Sequence, residues 1–281
     1  MSSRVSTIAL EDLRHVFRDR LVWGAFALVT LLMVPTFWGL LGSSVHSVET
    51  RIANLPLDFR MYLVILVAVI SYNAIVSERE AGTIRLVLGL PGTRRDLILG
   101  KLVSRLTVVL LTLVPILIML EGILLLRTGE HYLGLYTPIA LWMIFYAIVW
   151  TCFTIGLSAT FSTQYRVLAA LAVTYLSLST LVDIWGALVQ PVFALLFTGS
   201  TSTDAYATLG TASGPLWVRY AGRVNPIQTF QSSGRWITSL VDPTTQITNT
   251  LPNVFGICIL VVFGAGPMLL GYYRFQRADL G

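Results

Sequence analysis

The chain has 281 residues, of which 55% are hydrophobic and only 12% charged, with a mean hydropathy of +0.76. A soluble globule carries roughly a quarter of its residues as Asp, Glu, Lys and Arg, so this chain cannot coat itself with charge and lipid must cover most of its surface. The formal charge of +5 and the pI near 9.4 do not point to nucleic acid, because the cations are dispersed between apolar runs and follow topology instead.

Before the first apolar run, Val5, Ile8, Ala9, Leu13, Val16 and Phe17 recur at helical spacing, with Glu11, Arg14, Arg18 and Asp19 between them. Residues 1–20 therefore read as an amphipathic helix lying in the inner membrane interface. Six runs then reach the roughly 20 residues needed to cross about 30 Å of hydrocarbon: 21–41, 57–77, 102–126, 138–161, 167–190 and 251–273. They are continuously apolar rather than alternating, so the expected fold is an all-α membrane protein of six transmembrane helices. Pro35, Pro115 and Pro267 are candidate kinks in the first, third and sixth.

Residues 42–56 and 127–137 make short outer loops, and 191–250, rich in Gly, Ser and Thr, makes a longer extracytoplasmic segment. Within it Asn225-Pro226 is a helix-start signal, with Asn as N-cap and Pro at the first helical position. Ile227, Phe230, Ile237 and Leu240 follow near one face, as in a short helix resting on the outer interface or a loop with aromatic anchors. No fixed-period repeat divides the chain, and residues 1–281 read as one membrane domain.

An even number of spans puts both termini on one side. With the termini inside, all but six of the 19 Lys and Arg are inside, the exceptions being Arg51, Arg60, Arg127, Arg219, Arg223 and Arg235, while the acids divide evenly. Cations alone set the orientation, so both termini are expected in the cytoplasm and the chain in the plasma membrane.

The connection between the second and third runs carries two helix-start signals. Ser77 and Glu80 have capping-box spacing, Gly89 and Pro91 close that helix, and Thr93 with Asp96 opens the next, which runs through Lys101 into the third span. Ile84, Val87 and Leu88 form an apolar stripe among Glu78, Arg79, Glu80 and Arg85, a two-signed surface that suits a protein partner better than lipid headgroups.

The pattern Glu78, Glu80, Gly82, Thr83, Leu88, Leu90, Pro91, Thr93 and Arg94, followed by Gly100-Lys101, resembles the permeases of the ABC-2 class of ABC transporters. The six runs, the amphipathic N-terminal helix, Asn225-Pro226 and the closing Arg274-Phe275-x-Arg277-x-Asp279-Leu280 extend the resemblance over the whole chain. It implies that 78–100 is a coupling segment seated in a cleft of a separate ABC ATPase subunit, touched by Glu78, Arg79, Glu80, Gly82, Thr83 and Arg85. It also implies pairing with a second permease subunit, identical or related, ATP and Mg on the ATPase, and export of a substrate. The chain length, compact outer region and closing Arg-x-Asp-Leu are more similar to permeases associated with nitrous-oxide-reductase maturation than to larger drug exporters.

A nucleotide site on this chain is excluded by the missing G-x-x-x-x-G-K-[ST] loop, since Gly100-Lys101 is followed by Leu102. His15, His46 and His131 lie on separate segments outside any H-E-x-x-H pattern, and no G-x-S-x-G elbow occurs, so no catalytic, cofactor-binding or metal residue is assigned. Cys152 and Cys258 fall within spans as small packing residues. Glu121 and Asp183 interrupt the third and fifth runs, and intramembrane acids are functional candidates by default. Glu121 is about 9 Å along a helix from Arg127 and within reach of the interface, which leaves Asp183 as the better buried of the two. Thr174, Ser177, Ser179 and Thr180 share the fifth run with Asp183. Asp183, Ser177, Thr180 and Glu121 are thus candidates for a translocation route or a dimer seam, with helix-packing hydrogen bonds as the equal alternative. Two other classes stay open from the residues alone: an ATP-independent secondary transporter or channel working through Asp183 or Glu121, and a scaffold that recruits a partner without moving substrate.

Overall fold

A computed structural model describes residues 2–42, 47–82, 93–208, 214–241 and 249–277. The expectations placed on Thr83, Ile84, Arg85, Val87, Leu88, Gly89, Leu90, Pro91, Asp279 and Leu280 lie outside these residues. Among the described residues every regular element is helical. Five of the described helices are long and apolar enough to cross a membrane. They are α2 (Arg20–Leu41), α3 (Val48–Ser71) running on into the short α4 (Val76–Glu80), α5 (Arg94–Thr128), α6 (Leu133–Thr160) and, last in the chain, α11 (Thr250–Arg277).

The first helix, α1 (Ser2–Arg18), is amphipathic as its spacing predicts, and it lays Ala9, Asp12 and Val16 against α5. Gly100 makes this possible, since a Cβ there would stand 2.6 Å from Ile8 Cγ2. Helix α3 starts at Val48, well before the expected residue 57, with Ser47 Oγ accepting from the Thr50 amide. Across Arg51, Asp58 and Arg60, Ile52, Leu55, Phe59 and Leu63 keep a helical spacing and are fully buried. Residues 48–56, expected in a loop, are therefore helix.

The expected fifth span at 167–190 is not one helix. Helix α7 (Gln164–Leu178) ends at an extended Ser179, Asp183 takes a positive φ of 53°, and a π-helical turn (Trp185–Val189) leads into α8 (Gln190–Thr198). Fifteen residues give α7 about 22 Å, short of the hydrocarbon thickness. The break is held from elsewhere in the chain, as the Asn225 side-chain amide donates to the Leu178 carbonyl at 2.8 Å.

The segment expected on the outer surface enters the bundle. Helices α9 (Leu216–Val224) and α10 (Pro226–Val241) form a re-entrant hairpin with Asn225 at its tip. Along α9, Arg219 bonds Asn249 at the start of α11 and Arg223 bonds Asn253 one turn deeper, so α9 descends beside α11. Helix α10 returns, its Trp236 indole donating to Thr250 at 3.4 Å. Near the tip the Phe230 ring stacks on Tyr146 at 3.7 Å and the Trp142 indole donates to the Phe230 carbonyl at 3.0 Å. Tyr146 lies thirteen residues into α6, about 20 Å, which places Phe230 deep in the helix layer rather than on its surface. Ile227, Phe230 and Ile237 are buried as their spacing predicts, whereas Leu240, near the end of α10, is half exposed.

The most extensive helix contact joins α6 and α11. It depends on glycine: a Cβ on Gly156 would collide with the Pro267 backbone, one on Gly271 with the Gly156 carbonyl, and one on Gly264 would sit 3.0 Å from the Val149 carbonyl. In lipid, where apolar burial gives helices little reason to associate, such close backbone approach supplies the packing.

Candidate functional site

One end of the bundle is knotted around the segment that joins α3 to α5. Helix α4 does not start with a Ser77–Glu80 capping box. Ser158 on α6 accepts the Ile75 and Val76 amides at 3.0 and 3.1 Å, so the first free N–H groups of α4 are met by another helix. Ser77 then lies inside α4 and donates to the Asn73 carbonyl at 2.6 Å. Glu80, released from capping its own helix, accepts the Gln164 amide at the start of α7 at 3.0 Å. The second start signal is as expected, with Thr93 and Asp96 bonding each other's backbone amides at 3.0 and 3.1 Å.

Around these caps the charged residues reach in four directions. Lys101 Nζ sits 2.6 Å from Asp12 Oδ1 on α1 and 2.5 Å from Glu78 Oε1 on α4. Arg105 Nε is 3.3 Å from Asp12 Oδ2, and its Nη1 donates to the Ile70 carbonyl of α3 at 2.8 Å. Burial pushes the Asp12 carboxyl upward, but Arg105 and Lys101 outweigh it and hold the group below its ordinary pKa. Two acids and two bases thus lock α1, α3, α4 and α5 together.

Arg79 donates to the Phe161 and Ala159 carbonyls at 3.0 and 3.2 Å, closing the end of α6. Arg94 donates to the Phe275 and Gln276 carbonyls, both at 2.7 Å, near the end of α11. Both guanidinium groups also lie over the buried Phe275 ring, 5.4 and 5.8 Å from its centroid, within cation–π range. Phe275 therefore clasps the chain on both sides of the connection. These contacts tie the connection to α1, α3, α5, α6, α7 and α11.

Of the residues expected to touch an ATPase, Glu78 and Arg79 are engaged inside the bundle, while Glu80 and Gly82 are exposed. Gly82 has a φ of 69°, in the left-handed region that favours glycine, with open space where a Cβ would be. Thr83 and Arg85 are outside the described residues. Asp12, Arg105 and Ser158 belong to no motif in the sequence, whereas Phe275 lies in the closing Arg274-Phe275-x-Arg277 pattern and Lys101 in the Gly100-Lys101 pair.

The expected route residues separate into two places. Asp183 is exposed at the break after α7, its carboxylate resting against Gly186, and is not the buried acid that a continuous span implied. Ser177 is half-buried and Thr180 exposed at the same break, where Thr180 Oγ1 accepts from Arg60 Nη2 at 3.4 Å. Glu121 sits apart at the far end of α5, accepting the Tyr132 amide at 3.3 Å with His131 Nδ1 at 3.7 Å. Among the described residues no three His, Cys, Asp or Glu side chains are grouped to hold a metal ion.

Long apolar helices, a re-entrant hairpin and a charged knot at one end define a multi-pass membrane protein of the transport class. The family model described as "ABC-2 family transporter protein" matches residues 6–280, and the chain belongs to that family. Its members are membrane components of ABC transporters, generally non-catalytic themselves. No curated protein matches the chain.

Proposed function

We propose that the chain is the permease subunit of an ATP-driven exporter that borrows its ATPase from a separate subunit. The observation that carries this reading is the knot of Asp12, Glu78, Arg79, Arg94, Lys101 and Phe275, which makes one short connection the common anchor of α1, α4, α5, α6 and α11. Glu80 and Gly82, with Thr83 and Arg85 beyond them, face the ATPase, and Glu78 and Arg79 pass its movement inward. ATP and Mg belong to the partner.

The membrane is crossed six times, the fifth crossing being made in two pieces by α7 and by the stretch from Trp185 to Thr198. Two contacts support that path: α7 starts beside Glu80 at the charged end, and Phe197 of α8 stacks on Trp217 near the entry of the re-entrant hairpin. The arginine-rich end, with both termini, faces the cytoplasm. Ser177, Thr180 and Asp183 lie along the seam where a second permease subunit, identical or related, closes the translocation route. Glu121 holds the outer end of that framework. The closing Arg-x-Asp-Leu favours the nitrous-oxide-reductase maturation branch within the family.

Purification of the chain from its native membranes tests the proposal: an ABC ATPase accompanies it, and the hydrolysis rate of that ATPase changes when the chain is withheld. Recovery of the intact chain without any ATPase, or hydrolysis indifferent to it, would sink the reading.

A further inference from the structure

We infer that Arg60, at mid-depth in α3 and facing the break after α7, receives an anionic group (phosphate, sulfonate or carboxylate) of the transported molecule; this rests on the permease reading above. Arg60 lies twelve residues inside the N-terminal end of α3, and its guanidinium is turned onto the break, bonding the Leu57 carbonyl and Thr180 Oγ1. A cation within a spanning helix is retained where it meets an opposite charge or lines a polar path.

Among the described residues no carboxylate lies within 4 Å of the guanidinium; its bonds go to the Leu57 carbonyl and to Thr180 Oγ1, and Nε is buried without a partner. Asp58 feels Arg60 only at longer range, as expected two positions away on one helix, where side chains do not face each other. Asp183 rests on Gly186.

The surroundings of Arg60 are those of a route rather than a packed core. Leu57 and Met61 beside it are each 39% exposed, and Leu181 and Val182 across from it 61% and 54%, so this face is left open by the chain's own helices. The helix it faces is discontinuous, and broken helices near the midplane are where transporters build substrate sites. Arg60 and the Thr180 hydroxyl at the break are the donors offered to a negative group.

The test uses the purified permease–ATPase complex in nanodiscs of zwitterionic phosphatidylcholine. Its chain-dependent ATPase activity is measured first, so that loss of the permease reading is recorded separately from the binding result. Decyl phosphate, inorganic phosphate and decyltrimethylammonium are then titrated while the melting temperature of the chain is followed. The expected result is saturable stabilisation by decyl phosphate and none by decyltrimethylammonium. A response to inorganic phosphate as well extends the site to free anions, and its absence restricts the site to amphipathic ones. Arg60→Gln should raise the half-saturating concentration about tenfold or more, as loss of a charged hydrogen-bond donor does, with Arg60→Lys weaker in effect and Arg14→Gln like the parent. Equal responses to the anionic and cationic amphiphiles, no response to either phosphate, or an unchanged curve for Arg60→Gln would overturn the inference. If Arg60→Gln does not fold, the comparison of probes on the parent and on Arg60→Lys decides.

Discussion

Asp12 and Lys101 stand 89 residues apart in the chain and meet at 2.6 Å inside the charged end of the bundle. Their contact is possible because Gly100 lets α1 lie close on α5, and it is shared, since the same ammonium also meets Glu78 at 2.5 Å. An ion pair this buried is more a device for fixing geometry than a source of net stability, but removing one partner strands the others.

Asp12→Ala should therefore destabilise the chain by about 3 kcal/mol, measured by unfolding in SDS-containing mixed micelles. Adding Lys101→Met should cost less than the two single changes summed, and strict additivity in that double-mutant cycle would contradict a shared clasp. Because the folded-state pKa of Asp12 is lowered from 3.8, its contribution is fully present above that value and is lost as pH falls through the lower folded value. The effect of Asp12→Ala should thus be constant between about pH 5 and 8.

Phe275 holds Arg79 and Arg94 over one ring. Phe275→Ala should lower the number of substrate molecules moved, or of conformational cycles, per ATP hydrolysed by the reconstituted complex, with Phe275→Tyr close to the parent because the ring face is kept. Parallel losses of hydrolysis and movement, leaving their ratio fixed, would show Phe275 to be a packing residue only.

Asn225 performs two tasks with one side chain. Its Oδ1 accepts the Ile227 and Gln228 amides at 2.9 and 3.2 Å, and its Nδ2 donates to Leu178. Asn225→Asp keeps the cap of α10 and deletes the donor to α7, so only the α7 break should loosen, seen as faster amide exchange at residues 176–184. Asn225→Ala should loosen both and cost about 2 kcal/mol, the upper range for losing an N-cap.

Gly156→Val places branched carbons against the Pro267 backbone, and the α6–α11 crossing has no room to yield. Loss of monodisperse protein in detergent is expected for Gly156→Val, with Gly24→Val harmless because nothing lies within 4 Å of its missing Cβ. Equal behaviour of the two variants would contradict the close crossing.

Local signals were legible in the sequence and long-range ones were not. Thr93 with Asp96, and Asn225 with Pro226, act within a few residues and form the caps their spacing predicts. Ser77 and Glu80 have the same spacing, but Ser158, over 80 residues away, already satisfies the start of α4. Ser177, Ser179, Thr180 and Asp183 marked polarity in the fifth run but not a break, because the donor that holds the break sits on Asn225, 47 positions downstream. The early start of α3 was hidden by Glu49, Arg51, Asp58 and Arg60, although Ile52, Leu55, Phe59 and Leu63 carry one helical face across them. The charged knot was half legible: the motif marked Glu78, Arg94 and Lys101, and only the fold supplies Asp12, Arg105 and Phe275 as their partners.

In the proposed function, an ATPase acts on this chain through the exposed Glu80–Gly82 turn. Glu80→Gln isolates that role, because an amide oxygen still accepts the Gln164 N–H while the charge offered to the partner is gone. In nanodiscs containing the chain and its ATPase, chain-dependent ATP hydrolysis should fall about tenfold or more for Glu80→Gln, with the chain's melting temperature unchanged. Hydrolysis equal to that of the parent complex would contradict the account.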